Sequence, residues 1–541
     1  MLELTFEPVA GSAKISDQER ILNRLKTTSD RKLRGVYKNS ISEGKKLVID
    51  KRFIDARHGK AKIKYRFDFL TDDEIADKHQ QILNKALPFA DMSELSDISS
   101  RPFVVGFGPA GIFAAYTLAK YGLKPIVIER GSSMEQRVND VEDYLSGRKD
   151  INPNSNIQFG EGGAGTFSDG KLYTGINSGL KSFVSGVFAA NGAPEDILYD
   201  SHPHIGTDLL RKVIVNIRNE IASLGGEIRF NTRLVKLLVD NGRLSGIVVE
   251  DNGNLNEILC NHLILAIGNS SRDTFRTLYA DGVSMESKPF AVGVRIEHRR
   301  KDIDISQYGI DTATTNDLTA AYYKLSVDTK TGRKLYTFCM CPGGEVINAA
   351  SGPDEAVVNG MSLRSRNLDN SNCALLVPVD TRDYGEDVLF GIEFQEKLEK
   401  KALLATKSNC GVPVTRLKEL RSGSLSPEFN KIKPSVKHYV PSNFNDIFPS
   451  LFIDTIEDGI TEMGKKIKGF DDPESVLSAV ESRSSSPVRI IRDYNTFQSM
   501  NIEGLYPAGE GAGYAGGIMS SSIDGINCAN SLVNSLINSM K

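Results

Sequence analysis

The stretch that most constrains this chain is "FVVGFGPAGIFAAYTLAKYGLKPIVIER", residues 103–130. A buried β-branched run enters Gly106-Phe107-Gly108-Pro109-Ala110-Gly111. An apolar helix-forming run follows, then a second buried strand that ends in Glu129. Glycines of this spacing allow a tight turn and let a pyrophosphate approach a helix N-terminus, where free N–H groups and the dipole favour an anion. Pro109 suits the first helical position, where a missing N–H costs nothing. An acid about 20 residues after the loop can accept hydrogen bonds from an adenosine ribose. It would repel a 2′-phosphate, with Arg130 as a partial counterweight. The expectation is a dinucleotide site in an α/β fold.

The same glycine pattern recurs at "GEGGAG" (160–165) and "GAGYAG" (511–516). The first recurrence has no buried strand before it and no acid at the right distance. The second follows the strand "GLYPAG", but no βαβ unit fits after it. Only one Rossmann half-site is therefore expected, with no second complete one for NAD(P)H.

A chain of 541 residues exceeds what one core supports, so two or three domains are expected. Its 40% apolar and 25% charged content is that of a soluble globular protein. A net charge of −3 gives no bulk reason to expect nucleic acid or an anionic membrane as partner. Six scattered cysteines form no disulfide framework and suit a reducing compartment. "MLELTFEPVA" lacks a basic n-region, and the uncharged run 102–119 is broken by glycines, so neither a signal peptide nor a membrane span is read. A cytoplasmic protein is expected.

Residues 1–95 read as a small α/β domain: Ser16 with Glu19 caps a helix, and "KLVIDKRF" and "KIKYRFDF" alternate as strands. The basic run from Lys45 to Arg66 is read as a solvated sheet face, with an RNA-contacting face as the alternative. "FADMSELSDISSRP" (89–102) reads as a linker. A helix capped by Thr207 or Asp208 keeps one face apolar to Leu224 and stops at Gly225-Gly226. The turns "DNGR" and "DNG" mark hairpins. The expected domains are 1–95, a first part of the dinucleotide-binding domain over 96–275, an inserted substrate domain over 276–484, and a C-terminal part of the dinucleotide-binding domain over 485–541.

Four ordered segments together resemble FAD-dependent oxidoreductases of the glutathione-reductase type, and most closely a group of predicted bacterial FAD-dependent dehydrogenases with an extra N-terminal domain. The first is the Gly106 loop with Glu129 and, in "ERGSSMEQRVND", Arg137. The resemblance implies that Arg137 reaches the pyrophosphate. The second is "GEGGAGTFSDGKL", which resembles the glycine-doublet loop beside the phosphates and flavin, and offers Gly163, Gly165, Thr166 and Ser168. The third is the hairpin "TRLVKLL", with backbone near Val235 at the adenine, followed by "LILAIGNSSRDTF" with Gly268, which resembles the segment closing the FAD domain. The fourth is "GLYPAGEGAGYAGGIMSSSIDGI". There Gly509 and Glu510 would face the ribityl chain, and Gly516, Gly517 and Ile518 would start a helix aimed at the flavin. The implied fold is a discontinuous Rossmann-like domain, an inserted α+β substrate domain and a small N-terminal α/β domain. The implied activity is that of a dehydrogenase with FAD as cofactor.

Flavin N5 would carry the hydride step, so catalytic side chains are few. Lys171 is the one candidate near the ring. His202 and His204 alternate, but no convergent partner is evident and no metal site is expected. "GVRIEHRRK" (293–301), Arg489 and Arg492 leave an anionic small-molecule substrate open, and NAD(P)H stands as an option for a transient reductant. "YTFCMCPGGEVIN" (336–348) resembles a signature of the same dehydrogenase group. On a regular strand Cys339 and Cys341 would share a face. Known dithiol flavoenzymes keep their redox pair in the glycine loop after the first αβ unit, where this chain has no cysteine. A strand ending in Pro342-Gly343-Gly344, with bare backbone near flavin or substrate, is the preferred reading, and a redox pair stays open.

Overall fold

The computed structural model describes residues 1–90, 95, 101–408 and 410–540. Most of the expected linker lies outside the described residues. Two large sheets organise the rest.

The first is a five-stranded parallel sheet in the spatial order Leu505–Pro507, Leu263–Leu265, Phe103–Val105, Ile126–Ile128, Glu227–Arg229. Its edge strand comes from near the C-terminus, so the sheet closes only when distant parts of the chain meet. The helix Pro109–Lys120 crosses from the central strand, is buried along nearly its whole length, and packs on the final helix Ile518–Met540. Helices hydrophobic all round belong inside a layered α/β core.

The second sheet has seven strands, in the order Ser326–Asp328, Lys334–Cys341, Asn370–Val379, Phe290–Arg299, Val476–Glu481, Val412–Arg416, Tyr439–Pro441. Its pairs are antiparallel except the last. The N-terminal sheet, Leu2–Phe6 with Lys46–Asp55 and Lys62–Leu70, packs its apolar face into the same core as this sheet. Ile21, Ile63 and Phe67 join Val294, Leu375 and Ile456 in one cluster. The N-terminal unit thus shares a core with the seven-stranded sheet. Its basic run is largely ion-paired. Lys45, Lys46, Arg52, Arg57, Lys62, Lys64 and Arg66 each lie beside an acid.

Local expectations mostly hold. Ser16 accepts from the Glu19 N–H at 3.1 Å, and both hairpin turns place Asn-Gly in the left-handed region. The helix Thr207–Ser223 differs: Gly206 is its N-cap, with no side-chain cap. Thr207 instead donates to the Thr166 carbonyl at 2.7 Å, and Asp208 accepts from the Arg364 N–H at 2.8 Å. Tertiary partners outcompete the cap. The helix stops as expected, with Gly225 at φ +86° and Lys124 Cγ 3.0 Å from where a Cβ would sit. Gly225→Ala should therefore lower stability by about 1 kcal/mol, read as a shift of the unfolding midpoint with FAD content unchanged.

Candidate functional site: a nucleotide cleft between the two sheets

A cleft of about 480 Å³ runs along the carboxyl ends of the parallel strands and under the edge of the seven-stranded sheet. Ligands of open α/β sheets bind at this end. Of the expected residues, Gly106, Gly108, Pro109, Ala110, Glu129, Arg130, Gly163, Gly165, Ser168, Lys171, Gly268, Glu510, Gly516, Gly517 and Ile518 line it.

The glycine loop is shaped by contacts no side chain could share. A Cβ on Gly106 would lie 2.2 Å from the Ala266 carbonyl oxygen, and one on Gly163 would lie 2.9 Å from Gly108 Cα. Glu129 is buried, and three backbone N–H groups hold its carboxylate: Phe107 at 2.8 Å, Gly131 at 2.9 Å and Gly160 at 3.0 Å. An ionised carboxylate has about four acceptor positions, so one remains for a ribose hydroxyl. Arg130 lies 4.3 Å over the Phe159 ring and pairs with Asp273 at 2.6 Å. Arg233 reaches the same Asp273 carboxylate at 3.1 Å. The expected counterweight to a 2′-phosphate is therefore already engaged.

Six expected cofactor residues do not line the cleft. Arg137 is fully buried and donates to the carbonyls of Asn156, Ile157, Gly160, Glu161 and Gly163. Each guanidinium nitrogen has a carbonyl partner and the side chain is fully buried outside the cleft lining, so its contacts shape the second glycine loop. Phe107 turns its ring onto Phe230, with centroids 6.3 Å apart, and only its N–H serves the site, through Glu129. Gly111 is needed for helix–strand packing, because a Cβ there would meet the Gly106 carbonyl oxygen at 1.9 Å. Thr166 is buried under Gly162. Val235 sits at a register shift between Leu234 and Lys236, and the cleft wall is formed by its predecessors Thr232, Arg233 and Leu234. Gly509 takes φ +75° against Ala110, and its N–H donates to Asp524 at 2.7 Å.

Arg489 and Arg492, for which the sequence leaves a substrate carboxylate and pairing with acids equally open, have acid partners. Arg489 pairs with Glu286 at 2.9 Å, and Arg492 with Asp524 at 2.6 Å. In "GVRIEHRRK", Arg295 is fully buried against Glu481, while Arg299 and Arg300 pair with Asp302 and Asp304. None of these basic groups is left free for an anion.

At the far end the seven-stranded sheet supplies the wall. Lys171 donates to the Met340 carbonyl. Burial disfavours its ammonium, but Cys339, Cys341 and Asp169 outweigh that and hold its pKa above the ordinary lysine value. Burial pushes the Glu510 carboxyl up to about 7, against the pull of Lys288. Asn269 donates to Glu510 at 2.8 Å. Tyr173 and Tyr322 flank His202, each with centroids 5.1 Å from the imidazole. Tyr322, Tyr323 and Arg483 also line this end and were not expected there; they are more than 150 residues from the glycine loop, and no local pattern marks them, whereas Cys339, which lines it too, belongs to the segment expected near flavin or substrate.

These residues fit FAD. Gly268 and Gly516 have open space where a Cβ would be, and the helix Ile518–Met540 points its N-terminus into the cleft. Bare backbone and a positive dipole end suit a planar, electron-rich ring. Among the described residues no group of three or more metal-ligating side chains converges, and no helix is long and apolar enough to cross a membrane.

Residues 289–484 match the family described as FAD-dependent protein, C-terminal domain-like, a span that contains all seven strands of the second sheet. An uncharacterized protein of Clostridium beijerinckii is 43% identical over 502 residues, 90% of this chain and 92% of its own length. Among solved structures, the chain is similar to glycerol-3-phosphate dehydrogenase from Bacillus halodurans complexed with FAD (12% identity, 85% and 68% of the two chains, TM-score 0.36). It is also similar to glycine oxidase from Bacillus cereus (11%, 81% and 96%, TM-score 0.35). The last two likenesses are too distant to bear on the site. The cofactor is FAD, and the chain belongs to one family with the clostridial protein.

Proposed function

We propose that this protein is an FAD-dependent dehydrogenase that passes electrons between a donor, with NAD(P)H as the first candidate, and an anionic small molecule. The observation that carries the reading is the single cleft: glycine loops and Glu129 at one end, a helix N-terminus, Lys171 and an aromatic wall at the other. When bound, FAD supplies two-electron transfer at flavin N5. Glu129 would hold the ribose, the Gly106 and Gly163 loops the pyrophosphate, and the N-terminus at Gly516, Gly517 and Ile518 the electron-rich edge of the ring. Lys171 keeps a positive charge beside the wall, which favours a substrate carboxylate or phosphate over a cation. Glu510, with a pKa of about 7, can hold or release a proton near neutral pH. Tyr173 and Tyr322, which flank His202, give the substrate end of the cleft an aromatic border that would limit water.

The test is anaerobic stopped-flow mixing of the FAD-loaded protein with NADH, NADPH and a panel of hydroxy- and amino-acids. Bleaching of the flavin band by one nicotinamide, followed by reoxidation by an anionic metabolite, is expected. An FAD-loaded protein that no member of the set reduces would sink the dehydrogenase reading.

A further inference from the structure

The strand Lys334–Cys341 does not end as a regular strand. Its register with Asn370–Val379 slips between Phe338 and Cys341, and Cys339 takes φ +42°. A side chain other than glycine, asparagine or aspartate rarely adopts that conformation, and it persists only where the surroundings enforce it. The surroundings here are specific. The guanidinium of Arg295, fully buried, donates to the Cys339 carbonyl at 2.9 Å and is itself held by Glu481 at 3.1 Å and Asn372 at 3.1 Å. Lys171 holds the next carbonyl, that of Met340. Two cations thus grip two successive carbonyls. Arg295, fully buried, and Lys171, partly so, hold Cys339 where it lines the cleft, while Cys341 stays fully buried behind it. The equal-face expectation for the two cysteines fails for this reason: the slip changes the alternation.

The two cysteines are neighbours in space as well as in sequence: the Cys341 thiol donates to the Cys339 carbonyl at 3.3 Å. Donation from Cys341, with Lys171 and Arg295 nearby, holds the Cys339 thiol well below the usual thiol range. The donor role and burial push Cys341 up. One sulfur is therefore exposed to the cofactor cleft and nucleophilic, and the other is shielded and protonated. That is the division of labour of an attacking and a resolving thiol.

We propose that Cys339 and Cys341 are a dithiol–disulfide pair that exchanges two electrons with the flavin. In the oxidising direction two S–H bonds are lost, one S–S bond forms, and the two electrons and two protons pass to FAD. The reverse step returns them. The inference rests on FAD occupying the cleft, but its test separates the two.

The experiment is an anaerobic reductive titration of the full-length FAD-loaded protein with dithionite. The protein is first oxidised with diamide and freed of excess reagent. The wild type should take up twice as many electrons per flavin as Cys339→Ser or Cys341→Ser. Tryptic mapping of the oxidised wild type, without reduction, should recover the peptide carrying both cysteines with an internal disulfide and no alkylation at either. Equal electron uptake by wild type and both variants, or full alkylation of both cysteines after diamide, would overturn the pairing. Should the variants fail to fold, the peptide map of the wild type decides alone. A colourless wild type would instead count against FAD occupancy and leaves the peptide map as the arbiter of the thiol pair.

Discussion

Glu129→Ala should purify nearly free of flavin, with FAD affinity weakened by about 100-fold or more. The wild-type carboxylate holds the N–H groups of Phe107, Gly131 and Gly160, one from each segment that meets at the adenosine end. Removing it leaves three buried donors unmatched, at about 1–3 kcal/mol for each that water cannot reach. It also removes the acceptor offered to the ribose. Even a net loss of about 2.7 kcal/mol corresponds to a hundredfold in Kd. Glu129→Gln keeps one oxygen acceptor and should fall between. Flavin absorbance per mole of purified protein, and fluorescence quenching on titration with FAD, give the numbers. A full flavin complement in Glu129→Ala would show that the loop is held by other contacts and that the ribose lies elsewhere.

The second large effect is expected at Glu399, which binds no cofactor. Its buried carboxylate accepts from Arg272 at 2.7 Å through both terminal nitrogens and from Arg483 at 2.9 Å and 3.1 Å. Glu355 pairs with the same two arginines, at 3.4 Å and 2.6 Å. Arg272 starts the helix that follows the parallel sheet, whereas Glu399 and Arg483 belong to the seven-stranded side, so this cluster ties the two halves together beside the cleft. Glu399→Ala leaves two buried guanidinium groups sharing one carboxylate. Breaking a buried pair in this way costs about 3–5 kcal/mol, most of it the stranded charge. Thermal unfolding should show a large downward shift, and FAD loss should accompany it, because Arg483 lines the cleft. Glu399→Gln should fall between. The pH dependence has a definite sign. Although burial alone would raise it, Arg272 and Arg483 depress the Glu399 pKa far below its ordinary value of 4.5. Its contribution is present above about pH 4.5 and is lost as pH falls below that. An unchanged melting temperature in Glu399→Ala would mean that Glu355 alone suffices.

Much of the nucleotide half was legible because its signal is local. A buried strand, a glycine turn, a helix that begins with proline and an acid at the next strand end occupy 28 consecutive residues, and each step limits the next. Arg137 shows where such reading fails. The sequence marks a basic residue close to the acid, yet the arginine is fully buried with five carbonyls around it and does not line the cleft. Val235 shows a second kind of failure, since one register shift moves the cleft wall to Arg233 and Leu234. A strand's alternation is readable from sequence only while no bulge interrupts it.

The sequence by itself determined the cofactor class and the place of its phosphate loop, because glycine spacing and strand–helix periodicity act over a single turn of chain. It also determined that Lys171 follows the second glycine loop. Only the tertiary structure decided that Lys171 grips the strand of Cys339, that Arg489 and Arg492 are spent on Glu286 and Asp524, and that Glu399 joins the two halves. Those outcomes depend on which charged groups meet in space, across 32 residues for Arg492 and Asp524 and across more than 100 for the others. Buried charges must find partners wherever the fold puts them.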